Sequence, residues 1–261
     1  MTHKDIYTKF MIEYDKANVT SSYPSLTEYE VATVLDKAYN ALIAQKITGN
    51  NVRRAGFEAD TKAIADIEPL VVRSRNNTIT PSDNIRNGYE LDMANLDPEM
   101  LYFVQAYLKQ KPNNAPGKFP MDDKNDAVLD ARELPVQLVS HEMATKFFAT
   151  AYNLPWIKIP VCFIESNKLH FVCDPINKPL TTGASVVYIK KPNTFVKELE
   201  TAPQGWVSYF DWSGADVPAA YQFECNDTVA EELISLAVAF ALENVESQRL
   251  NSKLNMRGLE A

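Results

Sequence analysis

The residues best suited to catalysis in this chain are a few histidines and cysteines. His141 and Glu142 begin like the zinc-protease motif HExxH, but Thr145 stands where the second histidine ligand belongs. Zinc in that motif needs two imidazoles one helical turn apart, so we expect no zinc site here. Glu142 is better explained as a first-turn carboxylate that interacts favourably with the helix dipole.

A β-hairpin is predicted around the two-residue turn Ser166-Asn167. Strand-like runs cover residues 157–164 and 169–173, and two-residue turns of this kind connect antiparallel strands. In that register Glu165 faces Lys168 beside the turn, and such an opposed-charge pair favours the pairing.

The same hairpin argues against a soft-metal site. Cys162, His170 and Cys173 could ligate a metal, but the register puts Phe163 and His170 on one face, with Cys162, Phe171 and Cys173 on the other. Ligands on opposite faces of a sheet cannot meet one ion. The chain has three cysteines and no CxxC, so we expect buried, reduced thiols and a core histidine with satisfied hydrogen bonds.

Glycine spacing excludes the common nucleotide-binding loops. The chain has 8 glycines, and the two nearest neighbours in sequence are seven positions apart. Dinucleotide fingerprints, P-loops and nucleophile elbows all need glycines two to five positions apart. No serine or cysteine stands in a recognisable triad pattern either. We therefore expect no enzyme, no cofactor and no metal.

One aromatic cluster is a candidate interface. Such clusters either form a small core under a loop or anchor a partner, and the sequence leaves both readings open. The cluster lies between Gly205 and Gly214 and consists of Trp206, Tyr209, Phe210 and Trp212.

Composition restricts the class of protein. The 261 residues suit one large domain or two small ones, and 46% hydrophobic with 23% charged residues is typical of a globular chain. The net charge of −8 argues against a protein that grips phosphates. We expect no signal peptide and no membrane span, because no apolar run reaches the roughly 18 residues required. The default compartment is the cytoplasm.

Helices are predicted at both ends of the chain. A stripe of Ile6, Phe10, Met11 and Tyr14 indicates the first helix. A capping box at Thr27–Glu30 begins the second, which should end near Gly49. A third is predicted for 56–68, with Phe57, Ile64 and Ile67 on its core side. Near the C-terminus, a capping box that begins at Thr228 predicts a helix to about Gln248.

The middle of the chain is predicted to be β-rich. Strands are indicated at 100–109, 136–139 and 185–189, with a short helix capped by Ser140. Polar, proline-containing segments at 73–98 and 110–126 are predicted as long loops, which in a compact domain are usually functional or mobile. The acidic part of the second, at 122–126, lacks the glycine and glutamate of a calcium loop.

The predicted fold class is therefore α+β. We expect a helical bundle over 1–72, a β-rich region with extended loops over 73–222, and a C-terminal helix and tail over 223–261 that pack back on the bundle.

Several of these features follow one another in a familiar order. The segments are Ser25-Leu26-Thr27-Glu28-Tyr29-Glu30, Gly56-Phe57-Glu58, Ile67-Glu68-Pro69-Leu70-Val71, Leu134-Pro135-Val136, Val139-Ser140-His141-Glu142, Pro155-Trp156-Ile157 and 223–250. In this order the chain resembles the head-to-tail connector (adaptor) proteins of tailed phages, and it is most similar to ring structural proteins of crAss-like phages.

The resemblance implies a virion structural protein, assembled in the cytoplasm of a host bacterium. It implies a homo-oligomeric ring of about twelve copies at the portal vertex, which connects capsid to tail and extends the DNA channel. The helical bundle would wedge between ring neighbours and the β part would face the tail. The loops at 73–98 and 110–126 would contact neighbours, as the loops of these relatives do, and would order only in the assembly. Implied partners are the portal protein, other neck or tail proteins and genomic DNA that passes without specific binding. Three other readings stay open: a different tail-tube or neck component, a cytoplasmic ligand-binding module that uses the aromatic cluster at 206–212, and a small enzyme of unfamiliar type that uses His141 or His170.

The basic tail gives a first testable prediction. Arg249, Lys253 and Arg257 stand on an acidic chain, so we expect them to bind an acidic portal surface. Deletion of residues 250–261 should weaken attachment to the portal, as measured by co-sedimentation of the two proteins. Unchanged attachment would contradict this role.

Overall fold

The computed structural model describes residues 1–16, 26–48, 61–83, 85, 87–111, 132–149, 155, 159–174, 180–195 and 223–244. It confirms the predicted fold class, with helices at both ends and a β-rich middle. The chain divides into two compact units. A helical unit comprises Met1–Leu70 and Pro192–Ala261, and a sheet unit comprises Val71–Lys191. The predicted boundaries after residues 72 and 222 stay predictions.

The described helices have the following bounds: α1 His3–Lys16, α2 Glu28–Thr48, α3 Thr61–Ile67, α4 His141–Ala149 and α5 Asp227–Asn244. The described strands are β1 Val71–Asn77, β2 Thr80–Pro81, β3 Gly88–Asp92, β4 Met100–Lys111, β5 Arg132–Leu138, β6 Val161–Glu165, β7 Lys168–Val172 and β8 Leu180–Lys190. Short 3-10 turns follow α3 and β3.

The first two helices form where the sequence predicts them. Ile6, Phe10 and Tyr14 of α1 are buried, as predicted, whereas Met11 of the predicted stripe is only half-buried. The capping box of α2 is present, since the Thr27 amide donates to the Glu30 carboxylate at 2.7 Å and the Glu30 amide donates to the Thr27 hydroxyl at 3.3 Å. These bonds satisfy amides that the helix itself leaves without partners, so α2 begins at Glu28.

α5 is the central helix of the helical unit and packs against both α1 and α2. It begins at Asp227, so the prediction of Thr228 as its N-cap is wrong. The carbonyl of Asn226 accepts the first helical bond, from the Ala230 amide, and the Asn226 side chain donates to the carbonyl of Ala65. Asp227 also binds the N-terminal ammonium of Met1 at 2.7 Å. These tertiary contacts fix the helix start two residues earlier than local capping predicts.

The prediction for the third helix is correct only in part. Ile67 is buried, but Ile64 retains 39% of its exposure, so its place in the predicted core stripe is wrong. α3 is two turns long and contacts α2 through a narrow face, which leaves Ile64 on the outer side. Residues 56–60, including Phe57, lie outside the described chain.

One eight-stranded sheet forms the second unit, in the order β1-β8-β4-β5-β6-β7-β3-β2. All neighbours are antiparallel except β5 and β6, which are parallel and connected through α4. β4 and β8 make the longest pairing, from Met100↔Lys190 to Lys111↔Leu180, and register shifts interrupt it at three places. Bulges increase the local bend and twist of a sheet, which therefore curves into a half-barrel.

The prediction of a loop at 73–98 is wrong. Most of this segment lies in β1, β2 and β3 and in the turn that follows, all within the sheet unit. These strands lie at the two ends of the sheet or next to an end, where one face or edge meets solvent and tolerates polar residues. The polar composition of these strands therefore led to the prediction of a loop. Lys111 ends β4, and residues 112–126 of the second predicted loop lie outside the described chain.

The predicted hairpin is confirmed residue by residue. β6 and β7 pair through Glu165↔Lys168, Ile164↔Leu169, Phe163↔His170 and Cys162↔Phe171. Ser166 and Asn167 have φ angles of 52° and 60°, the left-handed conformation that a type I′ turn requires. The expected ion pair across the turn is replaced by another, because Lys168 binds Glu90 on β3 at 3.0 Å.

The curved sheet encloses one apolar cluster and carries a second on its outer face. The first includes Leu108, Phe171 and Tyr188, and 3-10 residues such as Met93 help to close it. The second lies under α4, where Ala144 packs with Phe163 and neighbouring residues of β6 and β7. α4 follows Ser140, which caps it as the sequence predicts. The Ser140 hydroxyl accepts a hydrogen bond from the Met143 amide at 3.4 Å.

The turn of the hairpin offers a test of this register. Val at position 167 cannot adopt the φ of 60° without strain, so Asn167→Val should destabilise the hairpin by about 1–2 kcal/mol, whereas Asn167→Gly should be neutral or slightly stabilising. Hydrogen exchange of the β6 and β7 amides measures the local opening free energy. Equal protection in the Val and Gly variants would show that the turn has a different conformation.

Candidate functional site: charged clusters and exposed apolar side chains

The interface residues predicted from the sequence are not part of the described structure. Trp206, Tyr209, Phe210 and Trp212 lie outside the described residues, as do Arg249, Lys253 and Arg257. Their roles stay predictions. The described residues instead form three charged clusters and a set of exposed apolar side chains.

The first cluster surrounds Glu90 on β3. Its carboxylate accepts a hydrogen bond from the Ser82 hydroxyl at 2.6 Å and binds the Lys168 ammonium at 3.0 Å. Nδ1 of His170 lies 3.6 Å from the same carboxylate. The hydrogen bond from Ser82, followed by that from Lys168, holds the pKa of Glu90 below its ordinary value. Glu90 is therefore an anion at neutral pH and a weak base.

His170 is less well satisfied than the sequence suggested. Its ring stacks on Phe163, with ring centroids 5.0 Å apart. His141 contacts the same Phe163 ring edge-on, with centroids 5.8 Å apart. Nδ1 is buried and makes no hydrogen bond within the described structure, because the Glu90 carboxylate is just too distant. The prediction of a fully hydrogen-bonded core histidine is therefore wrong.

This arrangement does not have the geometry of a covalent catalyst. In a catalytic triad the serine hydroxyl donates to the histidine and the carboxylate holds the far side of the ring. Here Ser82 donates directly to Glu90, whose lowered pKa makes it a poor proton acceptor. The cluster instead ties the segment before β3 to β3 and β7.

The buried thiols also have a structural role. Cys162 and Cys173 belong to the enclosed cluster together with Phe171, on the face predicted from the hairpin register. Burial raises the pKa of Cys162 to about 12 and that of Cys173 to about 11. Such thiols are protonated at neutral pH and react slowly. Within the described ranges, no three His, Cys, Asp or Glu side chains converge as a metal ion requires.

The second cluster crosses four strands of the sheet. Arg73 on β1 binds Glu133 on β5 at 2.5 Å, and its guanidinium lies 4.8 Å from the ring centroid of Tyr107 on β4. Ser185 on β8 donates to the other oxygen of Glu133 at 2.9 Å. An ion pair between the first and fourth strands of this order is possible because the sheet is curved.

The third cluster joins three helices of the helical unit. Lys46 on α2 binds Asp66 on α3 and Glu232 on α5, each at 2.6 Å, and Lys62 binds the second oxygen of Glu232 at 3.1 Å. Burial alone would lower the pKa of Lys46, but the two carboxylates outweigh it and the pKa is raised. Burial would likewise raise the pKa of Glu232, but Lys46 and Lys62 outweigh it and the pKa is lowered.

Large apolar side chains remain exposed on both units. On the helical unit they lie on three different helices, and their exposed fractions are 49% for Ile12, 54% for Tyr29 and 39% for Ile64. On the sheet unit they are Leu138, Met143 and Ile159. Single exposed apolar residues are ordinary on a protein surface, and each of these three is a candidate contact for a partner.

Sequence reasoning missed the ion pairs of all three clusters, although it had singled out Lys168 and His170 for other reasons. Arg73 and Glu133 are 60 positions apart, and Lys62 and Glu232 are 170 apart. No local spacing signals such pairs, because they form only when distant elements pack. One local pattern, Glu165 opposite Lys168, predicted the correct strand register. The ion pair that it suggested is wrong, because Lys168 binds Glu90 instead.

Comparison with known proteins adds no assignment. No protein-family model matches the chain, and no curated protein matches it. Of the helices in the described ranges, none has both the length and the apolar character needed to cross a membrane.

The Lys46 cluster predicts a pH-dependent stability. Lys46→Met leaves Asp66 and Glu232 without their shared cation and should lower the free energy of unfolding of the helical unit by about 2–3 kcal/mol at neutral pH. The folded pKa of Glu232 is lowered, so the ion pair stabilises above the unfolded pKa and this contribution is lost as the pH falls through the folded pKa. The difference between wild type and variant should therefore shrink below about pH 4.

Urea unfolding followed by far-UV circular dichroism measures this difference. The matched control is Lys62→Met, which removes a half-exposed ammonium that also pairs with Glu232 and should cost less than about 1 kcal/mol. Equal losses in the two variants, or a difference that does not change with pH, would contradict the role given to Lys46.

Proposed function

We propose that this chain is a virion structural protein of a tailed phage, which forms a homo-oligomeric ring at the portal vertex, connects capsid to tail and extends the DNA channel. The proposal includes no catalytic role and no cofactor. Its partners are further copies of the chain, the portal protein and other neck or tail proteins. Genomic DNA passes through the ring without specific binding.

The observation that carries the proposal is the ordered resemblance to phage connector proteins. Several of its segments coincide with the starts of elements: Thr27 caps α2, Ser140 caps α4, and Asp227 begins α5. Leu134–Val136 lies within β5, which is parallel to the next strand, β6. These four segments thus coincide with capping and pairing positions of the described fold.

The exposed apolar side chains of the helical unit support association between copies. Ile12, Tyr29 and Ile64 lie on α1, α2 and α3, outside a core that already buries Ile6, Phe10 and Leu35. The core does not need these side chains, and burying them against a neighbour would release free energy in proportion to the apolar area covered. A ring supplies such a neighbour for every copy.

The acidic charge suits a DNA conduit. The chain carries a net charge of −8, and a channel wall that attracted phosphates would retain DNA through many weak contacts. An acidic wall repels the backbone and allows passage. The same charge disfavours a role in sequence-specific DNA binding, for which basic surfaces are typical.

The decisive measurement is the number of copies in the particle. Quantitative mass spectrometry of purified phage, with the major capsid protein as internal standard, should give about a dozen copies, as expected of one closed ring. Cryo-EM of the vertex then assigns the layer and separates a portal-adjacent ring from a tail-tube component. Absence of the chain from intact particles would refute the structural role.

The apolar contact can be tested on the purified protein. Ile12→Ser should weaken association between copies about tenfold per contact, because roughly half of an isoleucine side chain would no longer be buried at the interface. Ile159→Ser is the matched control, with 44% exposure on the sheet unit. Sedimentation velocity gives the distribution of oligomers, and equal effects of the two changes would exclude Ile12 from the interface.

A further inference from the structure

The start of β3 contains a chemically labile pair of residues. Asn87-Gly88 is the only Asn-Gly pair in the chain. In such a pair the backbone nitrogen of the glycine can attack the side-chain amide of the asparagine, because glycine has no Cβ to hinder the approach. The result is deamidation, which converts asparagine into aspartate or isoaspartate without an enzyme or a cofactor.

The fold requires each of these two residues for a separate reason. Asn87 has a φ of 56°, a left-handed conformation that asparagine and glycine adopt most readily. A Cβ at position 88 would lie 2.4 Å from Cγ2 and 2.5 Å from Cβ of Ile85, so only glycine fits there. Ile85 has little room to move, because it packs in the second apolar cluster, under α4. Backbone conformation and packing together therefore place the labile pair at this point.

Hydrogen bonds hold both reacting groups in the folded protein. The Gly88 amide donates to the carbonyl of Ile85 at 2.9 Å, and this nitrogen must lose its proton to act as a nucleophile. The side-chain amide of Asn87 donates to the carbonyl of Asp174 at 2.8 Å, which anchors the group that would be attacked. The Asn87 carbonyl accepts a hydrogen bond from the Cys173 amide at 3.3 Å, so the peptide plane between the two residues is fixed as well. Attack requires that these bonds break first.

We propose that Asn87 is a deamidation site controlled by local opening of the connection between β2 and β3. The closed connection protects the side chain, the open connection allows the reaction, and the product no longer closes as before. The co-reactant is water, and no partner protein is required. This inference is independent of the proposed function.

The reaction balances with water alone. The Gly88 nitrogen bonds to Cγ of Asn87, its proton passes to solvent, and the side-chain nitrogen takes up a proton and leaves as ammonia. The cyclic succinimide that forms is then hydrolysed. Water adds to one of its two carbonyl carbons, and the bond from that carbon to the ring nitrogen breaks. Breakage at Cγ gives aspartate, and breakage at the backbone carbonyl carbon gives isoaspartate.

The connection lies where local opening is least costly. β2 has two residues and is at one end of the sheet. Ser82 closes the connection on β3, since its amide donates to the Gly88 carbonyl at 2.9 Å and its hydroxyl donates to Glu90 at 2.6 Å. Segments at the end of a sheet, with few contacts, open locally while the rest of the protein stays folded. The rate of deamidation should therefore follow the population of this open state.

Deamidation would prevent the connection from closing again. An aspartate at position 87 is ionised at neutral pH and only accepts hydrogen bonds, so it would face the Asp174 carbonyl without a donor. Isoaspartate adds one carbon to the main chain immediately before Gly88, whose pairing with Val172 is the first of the β3–β7 ladder. Either product weakens the attachment of β3, so an opening that leads to reaction has a permanent effect.

The first experiment compares the folded and the denatured chain. Both samples of the full chain are aged in the same mildly alkaline buffer, one with guanidinium chloride, and peptide mapping by mass spectrometry measures the fraction of Asn87 converted. Conversion should be at least about thirtyfold slower in the folded chain, because only the open state reacts. Equal rates in the two samples, or no conversion in the denatured chain, would overturn the proposal.

A pair of serine variants tests the control by local opening. Ser82→Ala removes the hydroxyl that binds Glu90 and should raise the rate in the folded chain about fivefold, with no change in the denatured chain. Ser74→Ala is the matched control, because it removes a hydroxyl that donates to Asn77 at 2.8 Å on β1, at the other end of the sheet. Equal rates in the two folded variants would show that opening at Ser82 does not control the reaction.

The effect of the product is tested with two variants at position 87. Both Asn87→Asp and Asn87→Gly lose the donor to the Asp174 carbonyl, but only aspartate places a carboxylate against it. Asn87→Asp should therefore reduce the protection of the β3 amides against hydrogen exchange about tenfold more than Asn87→Gly does. Equal protection in the two variants would overturn the permanent effect on closure.

Discussion

The sheet unit depends on the pairing of β4 with β8. These are the two longest strands, and every other strand joins the sheet through one of them or through β5. The three register shifts along this pair bend the sheet, and the bend allows Leu108, Phe171 and Tyr188 to share one enclosed core. The same bend brings Arg73 within reach of Glu133 across two intervening strands. A flat sheet would have neither the core nor the ion pair.

The helical unit is organised by a different constraint, the burial of α5. Eleven of its residues are buried, which is more than one apolar stripe provides, so the helix must be covered on several sides. α1 and α2 supply two of those sides, and the polar contacts of its first two turns come from Met1, Lys9 and Lys46. The two ends of the chain therefore depend on each other for stability, although they are remote in sequence.

Local features were predictable from the sequence and long-range ones were not. The capping box at Thr27, the cap at Ser140 and the hairpin at Ser166-Asn167 were all predicted correctly, because each depends on residues within a few positions of one another. The prediction for 73–98 failed because end strands are polar for the same reason that loops are, namely contact with water.

The clusters of charged residues show the same limit. Glu90, Glu133 and Lys46 are ordinary surface residues by type and spacing, and their partners come from other elements. His170 was placed on the correct face, but the carboxylate beside its ring comes from β3, a strand that composition had concealed. Prediction of the site would have required the strand order, which no local pattern contains.

The position of Pro81 affects how the protein behaves at high concentration. Proline lacks the backbone donor that an added strand would use, so β2 cannot serve as a template for another chain. Of the two ends of the described sheet, only β1 can therefore be extended by hydrogen bonding. A sheet that can be extended at one end only cannot join others into a continuous fibril, so the structure resists this route of aggregation.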